Sequence, residues 1–198
     1  MKVELIRHTE NPAEVIYQSA RRCYSDCEDL PPFNPEKAYA FIKGLIRNRH
    51  GTPLEHACFT FHVSGISRVV SHQLVRYRIA SFDQQSERTV AIPEPPTVCP
   101  PSIENNPDAL KVFNKIERVC YDGYMKLLEL GIQKEDARYA AIQANKTSLV
   151  FTMNCRSLLH FFHERLGGGA QWEIQALARQ ILAICVEIAP EVFDDVEA

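Results

Sequence analysis

The chain has 198 residues, of which 45% are hydrophobic and 24% are charged, and its formal net charge is −3. These values are ordinary for one globular domain, and the acidic balance argues against a general nucleic-acid binder, which needs a broad basic surface. No apolar run approaches the roughly 20 residues of a membrane span, and the start lacks a signal-peptide pattern, so we expect a cytoplasmic protein with no membrane partner.

Three Asn-Pro pairs predict helix starts, because Asn caps a helix and Pro is favoured at its first position. In chain order we predict a strand at 3–7, helices at 12–23 and 35–49, a strand at 57–64, an apolar helix face ending at 75, a helix at 107–130, a strand at 149–153 and helices at 157–165 and 171–188. The proline-rich run 93–101 predicts a loop, and we place a lobe junction near 93–106 within a single domain over 1–198. Helices outnumber strands without regular alternation, so the predicted fold class is α+β.

Seven cysteines are scattered along the chain. Their odd count and irregular spacing disfavour a disulfide framework. Cys23 and Cys27 lie four residues apart, but no second Cys or His pair follows at zinc spacing, so we expect no metal. Free thiols in a reducing compartment account for the cysteines better.

A cationic stretch over 76–88 follows the apolar helix face and holds three arginines, a tyrosine and two glutamines. Arginine offers forked donors to phosphate, and an amide offers both a donor and an acceptor to a base edge. The stretch therefore suits a phosphate and a planar heterocycle. A solvated, charged helix end is the alternative interpretation.

Polar residues in the second half of the sequence, and in one loop of the first half, are further candidate site residues. Arg156 and His160 are four apart and are expected to share a helix face. Arg165 precedes three glycines, where it could stabilise the end of a helix and nothing more. The loop over 49–56 contains Gly and Pro and either lines a pocket or holds satisfied polar residues between a helix and a strand.

An Arg7-His8 pair at the end of the first strand is partly similar to the histidine-phosphatase signature, in which a histidine attacks a phosphate. Thr9 stands where that signature has the glycine that permits a tight turn. The alternative is that His8 simply ends a strand.

Taken together, these segments resemble the flavin-dependent thymidylate synthase family over nearly the whole chain. The family signature is Arg-His-Arg, seven residues, then Ser, with a further Arg two places on; here it stands as Arg76-Tyr77-Arg78, Ser86 and Arg88. Thr-Pro-Leu-Glu-His, Glu-Asp-Ala-Arg, Met-Asn-Cys-Arg-Ser-Leu-Leu-His-Phe and Ala-Gln-Trp-Glu-Ile also look like family blocks.

The resemblance implies a single α+β domain of helices and an antiparallel sheet, assembled as a homotetramer with flavin sites where subunits meet. It implies that deoxyuridine monophosphate (dUMP) takes a methylene from methylenetetrahydrofolate and becomes thymidine monophosphate (dTMP). NADPH reduces FAD, and the reduced flavin supplies the hydride that completes the methyl group. No metal, nucleic acid or membrane is implied.

The resemblance also implies site residues, carried over by position. The FAD side would comprise Thr52, Arg76, Tyr77, Arg78, Gln84, Asn154, Cys155, Arg156 and His160. The nucleotide side would comprise Gln73, Leu74, Val75, Arg76, Gln84, Gln85, Ser86, Glu87, Arg88, Arg138 and Arg165. Arg165 would be the catalytic residue, since it matches the family arginine that favours ionisation at uracil N3. The chemistry is reasonable, because a cation against the ring enriches electron density at C5, and arginine keeps its charge at any working pH.

Four positions depart from the family pattern: Tyr77 replaces the signature histidine, Gln84 stands where an acid is often found, Thr89 stands where Tyr is frequent, and Gly169 extends a glycine run where polar residues are common. We predict that Tyr77→His keeps or raises activity. Two alternatives remain at this point: a flavin- or nucleotide-binding relative without turnover, and a histidine-type phosphatase that uses Arg7 and His8.

Overall fold

The structure, a computed structural model, describes residues 1–26, 28–92, 94 and 97–197. Its four-stranded sheet has the order β1-β2-β4-β3. The strands are β1 (Lys2–His8), β2 (Cys58–Ser67), β3 (Ala80–Gln84) and β4 (Lys146–Asn154). The three strands predicted from sequence are confirmed, and β3 was not predicted.

The strands pair in antiparallel register, as their backbone hydrogen bonds show. The amide of Thr9 donates to the carbonyl of Cys58, that of Cys155 to Ala57, and that of Gln85 to Ser148. Along β4 every second residue is buried, which is the pattern of a strand with one face on a core. The predicted fold class of helices and an antiparallel sheet is therefore confirmed.

Helices supply the rest of the described fold. They are α1 (Pro12–Arg22), α2 (Pro35–Arg47), α3 (Arg68–Leu74), α4 (Pro101–Glu104), α5 (Pro107–Glu129), α6 (Lys134–Ala137), α7 (Cys155–Arg165), α8 (Trp172–Ile188) and α9 (Pro190–Phe193), with 3₁₀ turns at Thr52–His56 and Arg138–Ala140. None of the helices described is long and apolar enough to cross a membrane.

The Asn-Pro pairs do start helices, but only two of the asparagines cap by side chain. Asn34 accepts from the amide of Lys37, and Asn106 accepts from two amides of α5. Asn11 takes a left-handed backbone conformation, with φ of 46°, and its side chain caps nothing. The predicted helix at 157–165 begins at Cys155 instead, because Asn154 is its cap and accepts from the amide of Ser157 at 2.8 Å.

The predicted loop at 93–101 lies partly outside the described residues, which omit 93, 95 and 96, and at Pro101 the chain enters α4. Of the Cys23–Cys27 pair noted in the sequence, Cys27 also lies outside the described residues. The other six cysteines carry free thiols. Within the described ranges, no cluster of His, Cys, Asp or Glu could hold a metal ion.

The chain divides into two compact units, 1–2, 63–74 and 83–149 in the first and 3–62, 75–82 and 150–198 in the second. In the first unit, Tyr124 of α5 is fully buried and packs with Ile92 and Ala137. In the second unit, aromatic rings form the core: Phe193 meets Phe59 and Phe162 edge-on. This aromatic core supports the buried face of α7, whose other face carries the candidate site.

Candidate functional site

A cavity of about 640 Å³ opens on the second unit. Its walls come from the loop between α3 and β3 and from α7. The lining residues are Arg76, Tyr77, Arg78, Ile79, Arg156, Ser157, His160, Glu164 and Arg165. Four arginines and one glutamate give these walls an excess of positive charge. A volume of this size is typical of small-molecule and cofactor sites.

One face of α7 points its polar side chains into this cavity. Arg156, His160 and Glu164 follow one another at intervals of four residues, so they lie along one side of the helix. Leu158, Phe161 and Phe162 are buried on the other side. The prediction that Arg156 and His160 share a helix face is confirmed, and the buried side fixes how α7 presents them.

The loop that carries Arg76–Arg78 is held against α7 at two points. The hydroxyl of Ser157 donates to the carbonyl of Ile79 at 2.9 Å. Tyr77 is only 8% exposed, and its ring packs edge-on against Phe161 and His160, with ring centres 5.3 and 5.6 Å apart. These contacts hold the loop against α7.

Tyr77 also binds Arg165, the residue predicted to be catalytic. The Nε of Arg165 donates to the Tyr77 hydroxyl at 2.8 Å, and the guanidinium carbon lies 5.5 Å from the centre of the ring. Burial raises the pKa of the Tyr77 phenol, although the positive charge of Arg165 opposes the shift. The phenol is therefore neutral at physiological pH and can accept this hydrogen bond.

Arg156 is positioned by two residues of the 49–56 loop. Its Nη1 donates to Glu55 Oε1 at 2.6 Å. A methyl group added at Gly51 would lie 2.9 Å from the Arg156 Nε, so only glycine leaves room for this side chain in its present place. The loop therefore contacts the site through Arg156, although none of its own residues is among those that line the cavity.

The charges of Arg76 and Arg78 are not neutralised within the part of the chain that the structure describes, where neither has an ion pair or a side-chain hydrogen bond. Both line the cavity. Unpaired guanidinium groups in a cavity favour an anionic ligand with several acceptor oxygens. The aromatic edges of Tyr77 and His160 add surface suited to a flat ring system. The pyrophosphate and isoalloxazine of FAD fit this set of donors and rings.

The remaining residues predicted for the FAD side lie outside these cavity walls. Thr52 begins the 3₁₀ turn of the second unit, and Asn154 caps α7. Cys155 is fully buried, and burial raises the pKa of its thiol, so it is a packing residue. Gln84 belongs to the first unit, where its amide donates to the hydroxyls of Ser71 and Thr147.

Most residues predicted for the nucleotide side lie in the first unit. Glu87 and Arg138 line a cavity of about 480 Å³ there, with Arg68 and His72 among its other walls. Arg88 forms an ion pair with Glu135. The side chain of Gln73 is partly exposed on α3, the side chain of Leu74 is buried, and Gln85 and Ser86 are exposed. In the second unit, Val75 is exposed, while Arg76 and Arg165 line the larger cavity.

Sequence reasoning did not assign Ile79, Ser157 or Glu164 to the site, although all three line the larger cavity. The helical period could have found Glu164, since it lies four residues beyond His160 on the same face. The backbone carbonyl of Ile79 accepts a hydrogen bond from the Ser157 hydroxyl, a contact that no sequence pattern predicts.

The phosphatase alternative gains nothing from the structure. The Nδ1 of His8 lies 2.8 Å from the carbonyl of Thr9, and its ring stacks on Phe59. The Thr9 amide donates to the carbonyl of Cys58 at the start of β2, and the Thr9 hydroxyl accepts from the Cys58 amide. His8 and Thr9 thus close the end of β1, as the structural alternative expected.

The chain is similar to known proteins along almost its full length. Residues 4–191 match the family model described as thymidylate synthase complementing protein. Proteins named flavin-dependent thymidylate synthase are 40% identical in Nitratidesulfovibrio vulgaris, with 97% of this chain and 85% of the relative aligned, and 40% identical in Geobacter sulfurreducens, with 98% and 86% aligned. One from Pyrococcus horikoshii is 40% identical over 92% of this chain and 78% of its own. The chain therefore belongs to the thymidylate synthase complementing protein family.

Proposed function

We propose that this protein is a flavin-dependent thymidylate synthase, which converts dUMP to dTMP with methylenetetrahydrofolate as the one-carbon donor. When bound, FAD carries to the transferred carbon the hydride that NADPH supplies. The observation that carries the proposal is that Arg76-Tyr77-Arg78 and the polar face of α7 meet in one cavity. Relatives with that activity match nearly the whole chain.

The second unit supplies the flavin site in this proposal. Arg76, Arg78 and Arg156 bind the anionic groups of FAD, because guanidinium forks match phosphate oxygens in geometry and charge. His160 and Tyr77 border the flat ring. Thr52, Asn154 and Cys155 of the same unit complete this set, the buried Cys155 by packing and not by contact of its thiol. Gln84, which lies in the first unit, is assigned to FAD by the family resemblance alone.

Arg165 acts on the base. Its fixed positive charge beside the uracil ring stabilises the N3-ionised form, which makes C5 a better nucleophile toward the methylene carbon. Arg88 and Arg138 bind the phosphate of dUMP, and Gln73 reads the imide edge of uracil. Leu74, Val75, Gln84, Gln85, Ser86 and Glu87 make up the rest of the nucleotide set.

The proposed assembly is a homotetramer. An exposed apolar stripe on α5 supports it: Val112, Ile116 and Val119 lie on one side of the helix, and Val119 is 63% exposed. Apolar stripes on exposed helices commonly mark contacts between subunits. We also place the enzyme in the cytoplasm, where a reducing environment suits its free thiols.

Formation of dTMP from dUMP, methylenetetrahydrofolate, NADPH and FAD tests the proposal. The wild type and the control Arg179→Ala, which changes an exposed residue of α8, are expected to make dTMP. Arg165→Ala is expected to lose most of this activity and His8→Ala to keep it. Bound FAD and dUMP without any dTMP would instead identify a binding relative without turnover, and phosphate release abolished by His8→Ala would identify a phosphatase.

A further inference from the structure

Arg165 ends α7, where an arginine commonly does no more than satisfy the last carbonyl groups of a helix. In this chain the Arg165 side chain turns to Tyr77 instead, donating from Nε to the Tyr77 hydroxyl. The carbonyls of Leu166 and Gly167, just after the helix, accept from the side-chain amide of Gln175 at 3.1 and 3.4 Å.

The side chain of Arg165 has one hydrogen-bond partner among the residues that the structure describes. Its Nε donates to the Tyr77 hydroxyl, which leaves the two terminal amino groups without a protein acceptor. Arginine carries five N–H donors, and four of them belong to those terminal groups. Since Arg165 lines the cavity, the four donors are available to a ligand.

The acceptor that holds Arg165 is itself rigid. The ring of Tyr77 is buried and fixed by edge contacts with Phe161, which is fully buried, and with His160. Tyrosine has only two side-chain torsions to order, so a packed ring sets the hydroxyl position closely. A neutral phenol that accepts from Arg165 also keeps its own proton to donate.

From this geometry we infer that Tyr77 is a positioning residue, which holds Arg165 through Nε so that its terminal amino groups meet the acceptor oxygens of the pyrimidine nucleotide. The inference rests on the proposed function and assigns a role to the residue at which this chain departs from the family signature. Tyr77 thus affects dUMP binding through Arg165, in addition to any contact with the flavin.

A double-mutant cycle tests the coupling. The affinity for dUMP is measured by calorimetry for FAD-supplemented wild type, Tyr77→Phe, Arg165→Ala and the double variant, at nucleotide concentrations that still detect a complex roughly a hundredfold weaker. Tyr77→Phe keeps the packed ring and removes only the hydroxyl. We expect it to weaken dUMP binding by about tenfold, the usual effect of losing a hydrogen bond to a charged group.

In the Arg165→Ala background the same change is expected to have no further effect, because the residue it positions is gone. Thermal unfolding of each variant verifies that the fold is intact. The inference is overturned if Tyr77→Phe binds dUMP as tightly as the wild type. It is also overturned if the substitution weakens dUMP binding equally with and without Arg165, since the effects of two substitutions with independent structural roles are additive. A wild type that binds neither FAD nor dUMP overturns the proposed function itself, and with it this inference.

Discussion

The close approach of Gly51 to Arg156 gives the sharpest prediction for the flavin site. In Gly51→Ala the new methyl group would meet the Arg156 Nε at 2.9 Å and its Cδ at 3.1 Å. Gly51 has φ of −80°, which alanine adopts without strain, so the backbone tolerates the change. The perturbation therefore falls on the Arg156 side chain, which must move away from its place beside Glu55.

The size of the effect follows from what Arg156 contributes. A charge-assisted hydrogen bond to an anionic ligand contributes about 1.5–3 kcal/mol, so its loss corresponds to roughly a 10- to 100-fold weaker affinity for FAD. The free energy of unfolding should change by less than about 1 kcal/mol, because an exposed ion pair such as Arg156–Glu55 contributes little. The variant is thus expected to fold normally and to bind FAD poorly.

Gly44→Ala is the matched control. Gly44 lies inside α2, and a methyl group there would meet no atom within 4 Å. It should bind FAD like the wild type and gain about 1 kcal/mol of stability, the usual advantage of alanine over glycine within a helix. Quenching of FAD fluorescence gives the affinities, and urea unfolding gives the stabilities. If Gly51→Ala binds FAD as well as Gly44→Ala does, the assignment of Arg156 to the flavin site is wrong.

Three further predictions concern the thiols, the assembly and the signature position. Burial raises the pKa of the Cys155 thiol above its usual value of 9.0, so the folded state keeps a proton that the unfolded chain loses. The free energy of unfolding should therefore fall as the pH rises beyond about 9. Urea unfolding at successive pH values should show a smaller fall in Cys155→Ala, and an identical fall in both proteins would contradict this prediction. Val119→Asp should shift the assembly to a smaller species in light scattering, whereas Asn114→Asp, on the opposite side of α5, should not; equal masses would exclude this stripe as an interface. Tyr77→His should keep or raise dTMP formation, because a neutral imidazole can also accept from Arg165, and a clear loss of FAD binding would count against this view.

Local rules predicted much of this fold correctly. The prolines at 12, 35 and 107 mark helix starts in the sequence and in the structure, because the restriction on φ at proline is a property of the residue itself. The spacing of Arg156 and His160 predicted a shared face for the same reason, since the helical period is local.

Features that depend on distant partners could not be predicted in this way. β3 has the sequence Ala-Ser-Phe-Asp-Gln, which has little strand propensity, and it forms because β4 offers it an edge. The apolar stripe on α5 has the spacing of a buried helix face, yet Val112, Ile116 and Val119 are exposed. The spacing of apolar residues does not reveal which part of a protein, if any, packs against them.

In the site, too, the contacts that matter join residues that are distant in the sequence. The bond between Tyr77 and Arg165 joins residues 88 positions apart, and the fit of Gly51 beside Arg156 joins two different segments of the chain. The first contact depends on how the loop between α3 and β3 packs against α7, and the second on how the 49–56 loop does so. The family resemblance pointed to Tyr77, Arg156 and Arg165, but only the fold shows which residues touch.

The absorbance spectrum of the purified protein, recorded before and after addition of FAD and removal of the excess, shows whether the protein retains the flavin. We expect the protein to retain a flavin spectrum, which dUMP perturbs further. A protein that retains no flavin under either condition would contradict the claim that Arg76, Tyr77, Arg78, Arg156 and His160 form a flavin site.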